Sequence, residues 1–183
     1  MIIGVCGDIG SGKDTLASVL IEKKGYTKLS FAGSLKDAVS VIFGWDRDML
    51  EGLTKESREW RETKDEWWSN RLGIADLTPR WVLQNWGTEL FRNHFHQDIW
   101  LACVENKINK MSNKNIVITD CRFPNEIETI KKLGGKVICV KRNSCKGGNH
   151  ASDTAWKNAS FDDVILNNGS LEEFIENILS IFS

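Results

Sequence analysis

The first residues of the chain constrain its fold more than any other part. The apolar run Ile2–Cys6 leads directly into GDIGSGK, which ends at Lys13, and a helical pattern follows over Asp14–Lys24. This is the spacing G-x-x-x-x-G-K between a strand and a helix, the P-loop arrangement. Glycines let the backbone turn its N–H groups onto phosphate oxygens, and the positive end of the helix dipole attracts the same anions. The motif therefore predicts a phosphate-binding loop, with Lys13 reaching the outer phosphates.

The position after Lys13 departs from the usual motif. A Ser or Thr hydroxyl normally contacts Mg²⁺ there, whereas this chain has Asp14 followed by Thr15. Either Asp14 replaces the hydroxyl as a metal ligand, directly or through water, or it only complements the positive end of the helix dipole. Both roles stay open at the level of the sequence.

Five short apolar runs predict the strands of a parallel sheet. They show little polar alternation, as expected of strands that are buried on both faces. Helical patterns separate them, so we expect an α/β protein with right-handed crossovers. The runs are Ile2–Cys6, Thr27–Phe31, Ile116–Thr119, Lys136–Val140 and Asp163–Leu166.

The segment between the second and third runs is too long for a single crossover helix. We predict a helical insertion over about residues 37–112, within one domain that spans residues 1–183. Seven of the eight tryptophans fall in this segment, and we expect most of them to be core residues. They are Trp45, Trp60, Trp67, Trp68, Trp81, Trp86 and Trp100.

One helix of the insertion is predicted over Pro79–Phe95. Thr78 is a suitable N-cap, and proline favours the first helical position. Residues at spacings of three and four share a face of this helix: Arg80, Gln84, Gly87 and Thr88. A glycine on this face indicates that another group packs closely against it, the alternative being an ordinary solvated face.

A second group of candidate residues follows the third run. Ile116–Thr119 leads into Asp120, a Walker B pattern, and Arg122 and Glu126 come next. Carboxyl ends of parallel strands gather at the ligand crevice of such a sheet, and arginine pairs with phosphate through two hydrogen bonds. These residues predict a place for an anionic substrate, the alternative being a surface ion pair.

Two further basic positions have equally open interpretations. Lys36, after the second run, either meets a second phosphate or is an exposed helix lysine. The basic loop from Lys141 through Arg142 to His150, within about residues 141–160, is either a mobile lid over phosphates or an ordinary solvated loop.

Charge and cysteine content narrow the classes of function. Lys and Arg number 24 against 25 Asp and Glu, a net charge of -1, which argues against a nucleic-acid coat or a polybasic membrane binder. No apolar run reaches the length of a membrane span, and the first residues lack a signal-peptide pattern. The five cysteines form no CxxC pair, which favours a reducing, cytoplasmic setting.

Taken together, the motifs resemble those of the bacteriophage deoxynucleoside monophosphate kinases over nearly the whole chain. The P-loop and the segment ILNNGSLEE recur in other small P-loop kinases, including dephospho-coenzyme A kinase. The combination of GKDT with a Q-x-x-G-T-[DE]-L helix and a strand that ends in T-D-x-R is more distinctive. Since Asp14 belongs to the family's own pattern, its presence does not argue against activity. The matching segments are GSGKDT (Gly10–Thr15), FAGSLKDA (Phe31–Ala38), Arg80–Leu90, Trp100, ITDCRFPNE (Ile118–Glu126) and ILNNGSLEE (Ile165–Glu173).

The resemblance implies a five-stranded parallel sheet flanked by helices, with a helical insertion that binds substrate. It implies transfer of the γ-phosphoryl group of ATP to a deoxynucleoside monophosphate, with Lys13, Asp120 and Arg122 in catalysis and Mg²⁺ held by Asp14 or Thr15. Trp100 is expected to stack on the base or to wall the pocket. ATP would be bound by Gly10, Ser11, Gly12, Lys13, Asp14 and Thr15, and the deoxynucleotide by Leu35, Lys36, Arg80, Gly87, Thr88, Trp100, Asp120, Arg122 and Glu126.

The expected setting is the cytoplasm, that of the host cell if a phage encodes the chain, with no nucleic-acid or membrane partner. A homodimer stays open, because exposed tryptophans can mark a dimer face. Two other functions also stay open: a P-loop kinase for another small metabolite such as dephospho-coenzyme A, and a P-loop regulatory ATPase whose insertion binds a partner.

Overall fold

The computed structural model describes residues 1–145 and 155–182, which form two compact units. The sheet unit comprises Met1–Phe31 and the described residues from Val104 onward, and the insertion unit comprises Ala32–Cys103. The expected lid-like loop lies in part outside the described residues, at 146–154, and this part includes His150.

The sheet unit is built on five parallel strands in the order β2-β3-β1-β4-β5. In the central pairings, Ile2 lies opposite Ile116 and Ile3 lies opposite Lys136. Every residue of β1 and β3 is buried, so the predicted α/β class and the five-stranded parallel sheet are confirmed. The strands are β1 (Ile2–Cys6), β2 (Thr27–Leu29), β3 (Ile116–Ile118), β4 (Lys136–Lys141) and β5 (Asp163–Leu166).

Helices follow the strands in the described residues. They are α1 (Lys13–Lys24), α2 (Gly33–Phe43), α3 (Arg47–Glu51), α4 (Lys55–Glu62), α5 (Glu66–Leu72), α6 (Pro79–Gln84), a π-helix (Asn85–Phe95), α7 (Ile99–Lys110), α8 (Pro124–Lys132) and α9 (Leu171–Ile181). None of them is long and apolar enough to cross a membrane. The core of the sheet unit includes Leu16 and Leu20 of α1 and Phe174 and Ile178 of α9. Burial of such side chains supplies most of the favourable free energy of folding.

An aromatic cluster forms the centre of the insertion unit. The ring of Phe43 is stacked on Trp45 at 4.4 Å and contacts Trp68 at 4.9 Å and Trp86 at 5.3 Å between centroids. The indole N–H of Trp45 donates to Asp65 at 2.8 Å, and that of Trp68 donates to the Phe43 carbonyl at 3.0 Å. These hydrogen bonds let large indoles be buried without an unsatisfied donor. The short helices are thus held together by aromatic contacts.

The tryptophans of the insertion unit are not buried to the same degree. Trp45 and Trp100 are core residues, at 8% and 6% exposure, whereas Trp67 is 62% exposed and Trp81 is 39% exposed. The expectation that most tryptophans of the segment are core residues therefore holds for only part of the set, because α5 and α6 are short and each turns one indole outward.

The predicted helix over Pro79–Phe95 is wrong in its second half. α6 ends at Gln84, and a π-helix continues to Phe95, as illustrated by the His96 N–H, which donates to the Phe91 carbonyl at 2.8 Å. Bonding to the residue five positions earlier instead of four changes the rotation per residue. The helix face predicted at 3.6 residues per turn for Arg80, Gln84, Gly87 and Thr88 therefore does not continue past Gln84.

Replacing Phe43 with alanine should destabilise the insertion unit by about 3–5 kcal/mol, because the cavity would remove contacts with three indoles. Urea unfolding followed by tryptophan fluorescence measures this. Trp67→Ala is the matched control, since Trp67 is mostly exposed, and it should cost less than about 1 kcal/mol. Equal losses in the two variants would contradict the central place of Phe43.

Candidate active site

The loop between β1 and α1 has a backbone that requires glycine. Gly7, Gly10 and Gly12 have φ values of +147°, +81° and +112°, a region that residues with a Cβ rarely adopt. A Cβ on Gly7 would also overlap the Val140 carbonyl oxygen and lie 2.7 Å from the Ser11 Oγ. The loop ends at Gly12, the N-cap of α1. The first backbone N–H groups of a helix are suited to an anion, so binding of phosphate here stays a prediction.

Lys13 lies folded against this loop. Its Nζ donates to the carbonyl oxygens of Gly7 at 2.8 Å and Asp8 at 2.7 Å. Burial lowers the pKa of Lys13, and the guanidinium of Arg122 lowers the pKa further, while Asp14 acts in the opposite direction. Lys13 and Arg122 are therefore close enough to repel each other, and an anion that contacts both would relieve this repulsion.

Ser11 carries a buried polar atom that fits a phosphate ligand. Its side chain is fully buried, and its Oγ has no hydrogen-bond partner within the described residues. An unsatisfied buried hydroxyl is costly and needs an explanation. A phosphate oxygen held by the loop would satisfy it, which supports nucleotide binding at this position.

Asp14 forms an ion pair that the sequence did not indicate. Its Oδ1 lies 2.8 Å from the Nζ of Lys28 on β2, and the two side chains are 63% and 33% exposed. Such an exposed pair contributes little stability, but it offsets the negative charge of Asp14 beside an anion site. Thr15 is half-buried in the first turn of α1.

Asp120 joins the ends of two neighbouring strands. Its Oδ1 accepts the N–H of Phe31 at 2.9 Å, and its Oδ2 accepts the hydroxyl of Ser30 at 2.7 Å. Since β2 and β3 are paired in parallel, their carboxyl ends meet where the Walker B pattern places this carboxylate. Ser30 was missed because nothing in its sequence context distinguishes it from other serines.

Glu126 supports the backbone on which Arg122 is carried. This side chain is only 2% exposed. Its Oε2 accepts the N–H groups of Arg122 at 2.7 Å and Phe123 at 3.0 Å. A carboxylate in the first turn that reaches back to the preceding N–H groups is a capping interaction. The geometry thus places Glu126 behind Arg122 as a support for the loop.

Three of the predicted residues of the insertion unit pack against one another. A Cβ on Gly87 would lie 2.9 Å from the Leu35 Cδ2, and the Trp100 indole N–H donates to the Gly87 carbonyl at 2.9 Å. Leu35 and Trp100 are 5% and 6% exposed. The close packing expected at this glycine is therefore found, with Leu35 as the neighbour. Contact of Trp100 with a base stays a prediction.

The two predicted cations of the insertion unit are paired with carboxylates. Lys36 lies 2.6 Å from Glu51, which also pairs with Arg47 at 2.5 Å. Although burial raises the pKa of Glu51, Lys36 and Arg47 together hold it below its usual range. Arg80 pairs with Glu62, and Thr88 is half-buried on the π-helix. Sequence reasoning missed both carboxylates, because each lies on a different helix from its partner.

Comparison with known proteins decides the family. The sequence model of the family described as deoxynucleotide monophosphate kinase matches residues 51–178. The chain belongs to this family. The chain is 34% identical over 193 residues to a protein of Acanthamoeba polyphaga mimivirus named as a deoxynucleotide monophosphate kinase, an alignment that covers 98% of this chain and 95% of that protein.

Two phage proteins are similar over shorter or more divergent alignments. The deoxynucleoside-5'-monophosphate kinase of Escherichia phage T5 is 29% identical over 72% of each chain. The deoxynucleotide monophosphate kinase of Enterobacteria phage T4 is 23% identical over 97% of this chain and 96% of its own. The family predicted from the motifs is confirmed, and with it the class of nucleotide kinase.

Nucleotide affinity should fall at alkaline pH because of Lys13. Bound phosphates stabilise the ammonium and raise its pKa, so above the lowered pKa of the free protein binding requires uptake of a proton. We expect the Kd for ADP, measured by calorimetry, to increase with pH. The increase should begin at a pH below the ordinary lysine pKa of about 10.4. Lys13→Arg stays charged over this range and should remove the dependence. The same pH profile in both proteins would exclude Lys13 as the titrating group.

Proposed function

We propose that this chain transfers the γ-phosphoryl group of ATP to the phosphate of a deoxynucleoside monophosphate, giving ADP and a deoxynucleoside diphosphate. The observation that carries the proposal is the P-loop of this chain, which belongs to the deoxynucleotide monophosphate kinase family. Lys13 lies against this loop and within electrostatic reach of Arg122. A lysine at a helix N-terminus, with a second cation within electrostatic reach, is suited to a group that carries several negative charges.

Phosphoryl transfer depends on positioning and charge neutralisation more than on covalent help from the protein. We assign the outer phosphates of ATP to Lys13 and to the loop of Gly10, Ser11 and Gly12. Arg122 neutralises charge on the phosphoryl group in transit. The acceptor phosphate is already nucleophilic, so no strong general base is needed.

Asp120 and Glu126 act on the reaction through other residues in this proposal. Both oxygens of Asp120 accept hydrogen bonds from Ser30 and Phe31, which supports a positioning role. Glu126 holds the backbone of Arg122. The roles in deoxynucleotide binding of Leu35, Lys36, Arg80, Gly87, Thr88 and Trp100 stay predictions.

Mg²⁺ is proposed to accompany ATP. The described residues contain no group of three or more His, Cys, Asp or Glu side chains suited to a metal, but Mg²⁺ in kinases typically uses one or two carboxylates together with substrate phosphates. Asp14 supplies a carboxylate and Thr15 a hydroxyl in the first turn of α1. When bound, the metal would neutralise phosphate charge.

The five free cysteines support a cytoplasmic setting.

A substrate panel tests the proposed reaction directly. ADP formation from ATP should be stimulated by at least one deoxynucleoside monophosphate, and comparison with the ribonucleotide of the same base measures discrimination at the 2′ position. Dephospho-coenzyme A serves as the acceptor of the alternative kinase. ATP hydrolysis that no acceptor stimulates would instead support a regulatory ATPase and contradict the proposal.

Removing either cation should reduce turnover strongly. Lys13→Ala and Arg122→Ala should each lower kcat/KM at least about tenfold, because a charge-assisted contact contributes about 1.5–3 kcal/mol. Lys23→Ala, on the exposed side of α1, and Arg71→Ala, on α5, are matched controls and should retain activity. Unchanged turnover in Lys13→Ala or Arg122→Ala would remove that residue from the mechanism.

A further inference from the structure

The segment Ile165–Glu173 shares the family resemblance, yet the proposed mechanism gives it no role. Asn167 follows β5 directly, and its Nδ2 donates to the Ser11 carbonyl oxygen at 2.8 Å. Its own backbone N–H donates to the Lys141 carbonyl at 2.8 Å. Asn167 is therefore fixed to the end of β4 and reaches from there to the P-loop.

The space that Asn167 uses exists only because residue 12 is glycine. A Cβ on Gly12 would lie 2.6 Å from the Asn167 Nδ2 and 3.0 Å from the Phe174 Cε1. Phe174 is 2% exposed and belongs to the core of the sheet unit. The Asn167 amide and the Phe174 ring thus occupy the space beside the loop that a side chain at residue 12 would need.

The hydrogen bond from Asn167 to the Ser11 carbonyl also determines the direction of the Gly12 N–H. The described residues contain no cis peptide bond, and in a planar trans peptide the C=O and the next N–H point in opposite directions. The Ser11 carbonyl is directed at Asn167, so the Gly12 N–H is directed to the other side of the loop. Rotation of this one peptide unit would withdraw that N–H from any anion held there.

We propose that Asn167 is a positioning residue for nucleotide binding, which holds the Ser11–Gly12 peptide so that the Gly12 N–H faces the phosphates of ATP. The inference rests on the proposed function, since it assumes that the P-loop binds ATP. Asn167 itself does not contact the reacting atoms. Its contribution is to the affinity for the phosphates and not to the phosphoryl-transfer step.

Two variants and a matched control test this role. Asn167→Ala removes the donor, and Asn167→Asp keeps the shape of the side chain but places an acceptor against the Ser11 carbonyl. Asn168→Ala is the control, because its Oδ1 accepts the Asn143 N–H at 2.8 Å and makes no hydrogen bond to the P-loop among the described residues. Thermal melting followed by circular dichroism reports whether each variant is folded.

Calorimetry with ADP and steady-state kinetics are the measurements. We expect Asn167→Ala and Asn167→Asp to raise the Kd for ADP and the KM for ATP by about tenfold or more. The KM for the deoxynucleotide and kcat at saturating ATP should change much less, and Asn168→Ala should match the original protein in all four constants.

The outcomes separate the inference from the proposed function. An active original protein with unchanged ADP affinity in both Asn167 variants overturns the inference, even if their melting temperatures fall, because the role would then be structural. Weakened ADP binding in Asn167→Ala and Asn168→Ala alike also overturns it. An original protein that binds no ADP contradicts the proposed function, and the inference fails with it.

Discussion

The structure depends on three glycines in β1 and the loop that follows it, Gly4, Gly7 and Gly12. At Gly4, a Cβ would collide with Ile130 of α8, and at Gly7 with the Val140 carbonyl of β4. At Gly12 the same space is filled by Asn167 and Phe174. Helix, strand and carboxyl-terminal motif thus approach the backbone of one short segment directly. Because close packing permits few alternatives, this segment determines where its neighbours lie.

Charge in this protein is balanced locally. Lys28 is paired with Asp14, Lys36 with Glu51, and Arg80 with Glu62, each within one unit. Lys36 and Arg80, two of the cations that were expected to bind phosphate, therefore each lie beside a carboxylate. A phosphate that binds Lys36 or Arg80 must share the cation with a carboxylate already present. Selectivity for an anion then depends on its geometry as well as its charge.

The fold and the site differed in how far the sequence could predict them. Strands buried on both faces leave a clear signal, and the predicted run Ile2–Cys6 matches β1 residue for residue. The P-loop was predictable because its glycines are required by backbone geometry. The hydrogen-bond and ion-pair partners of the site residues could not be predicted from the sequence. Ser30, Lys28 and Glu62 become partners through tertiary contacts that no local pattern encodes. The π-helix was also missed, since its residues follow an acceptable α-helical pattern.

The hydrogen bond between Asn167 and Ser11 joins residues that are 156 positions apart. Chains are synthesised from the amino terminus, and contacts of such sequence separation form late. β1 is made before β3 and β4 but lies between them in the sheet, so it is paired on both sides only after both have been made. On the ribosome, the P-loop therefore lacks its flanking strands and its asparagine until the chain has emerged as far as Asn167. A nascent or truncated chain would carry the nucleotide-binding motif without the means to hold it in shape.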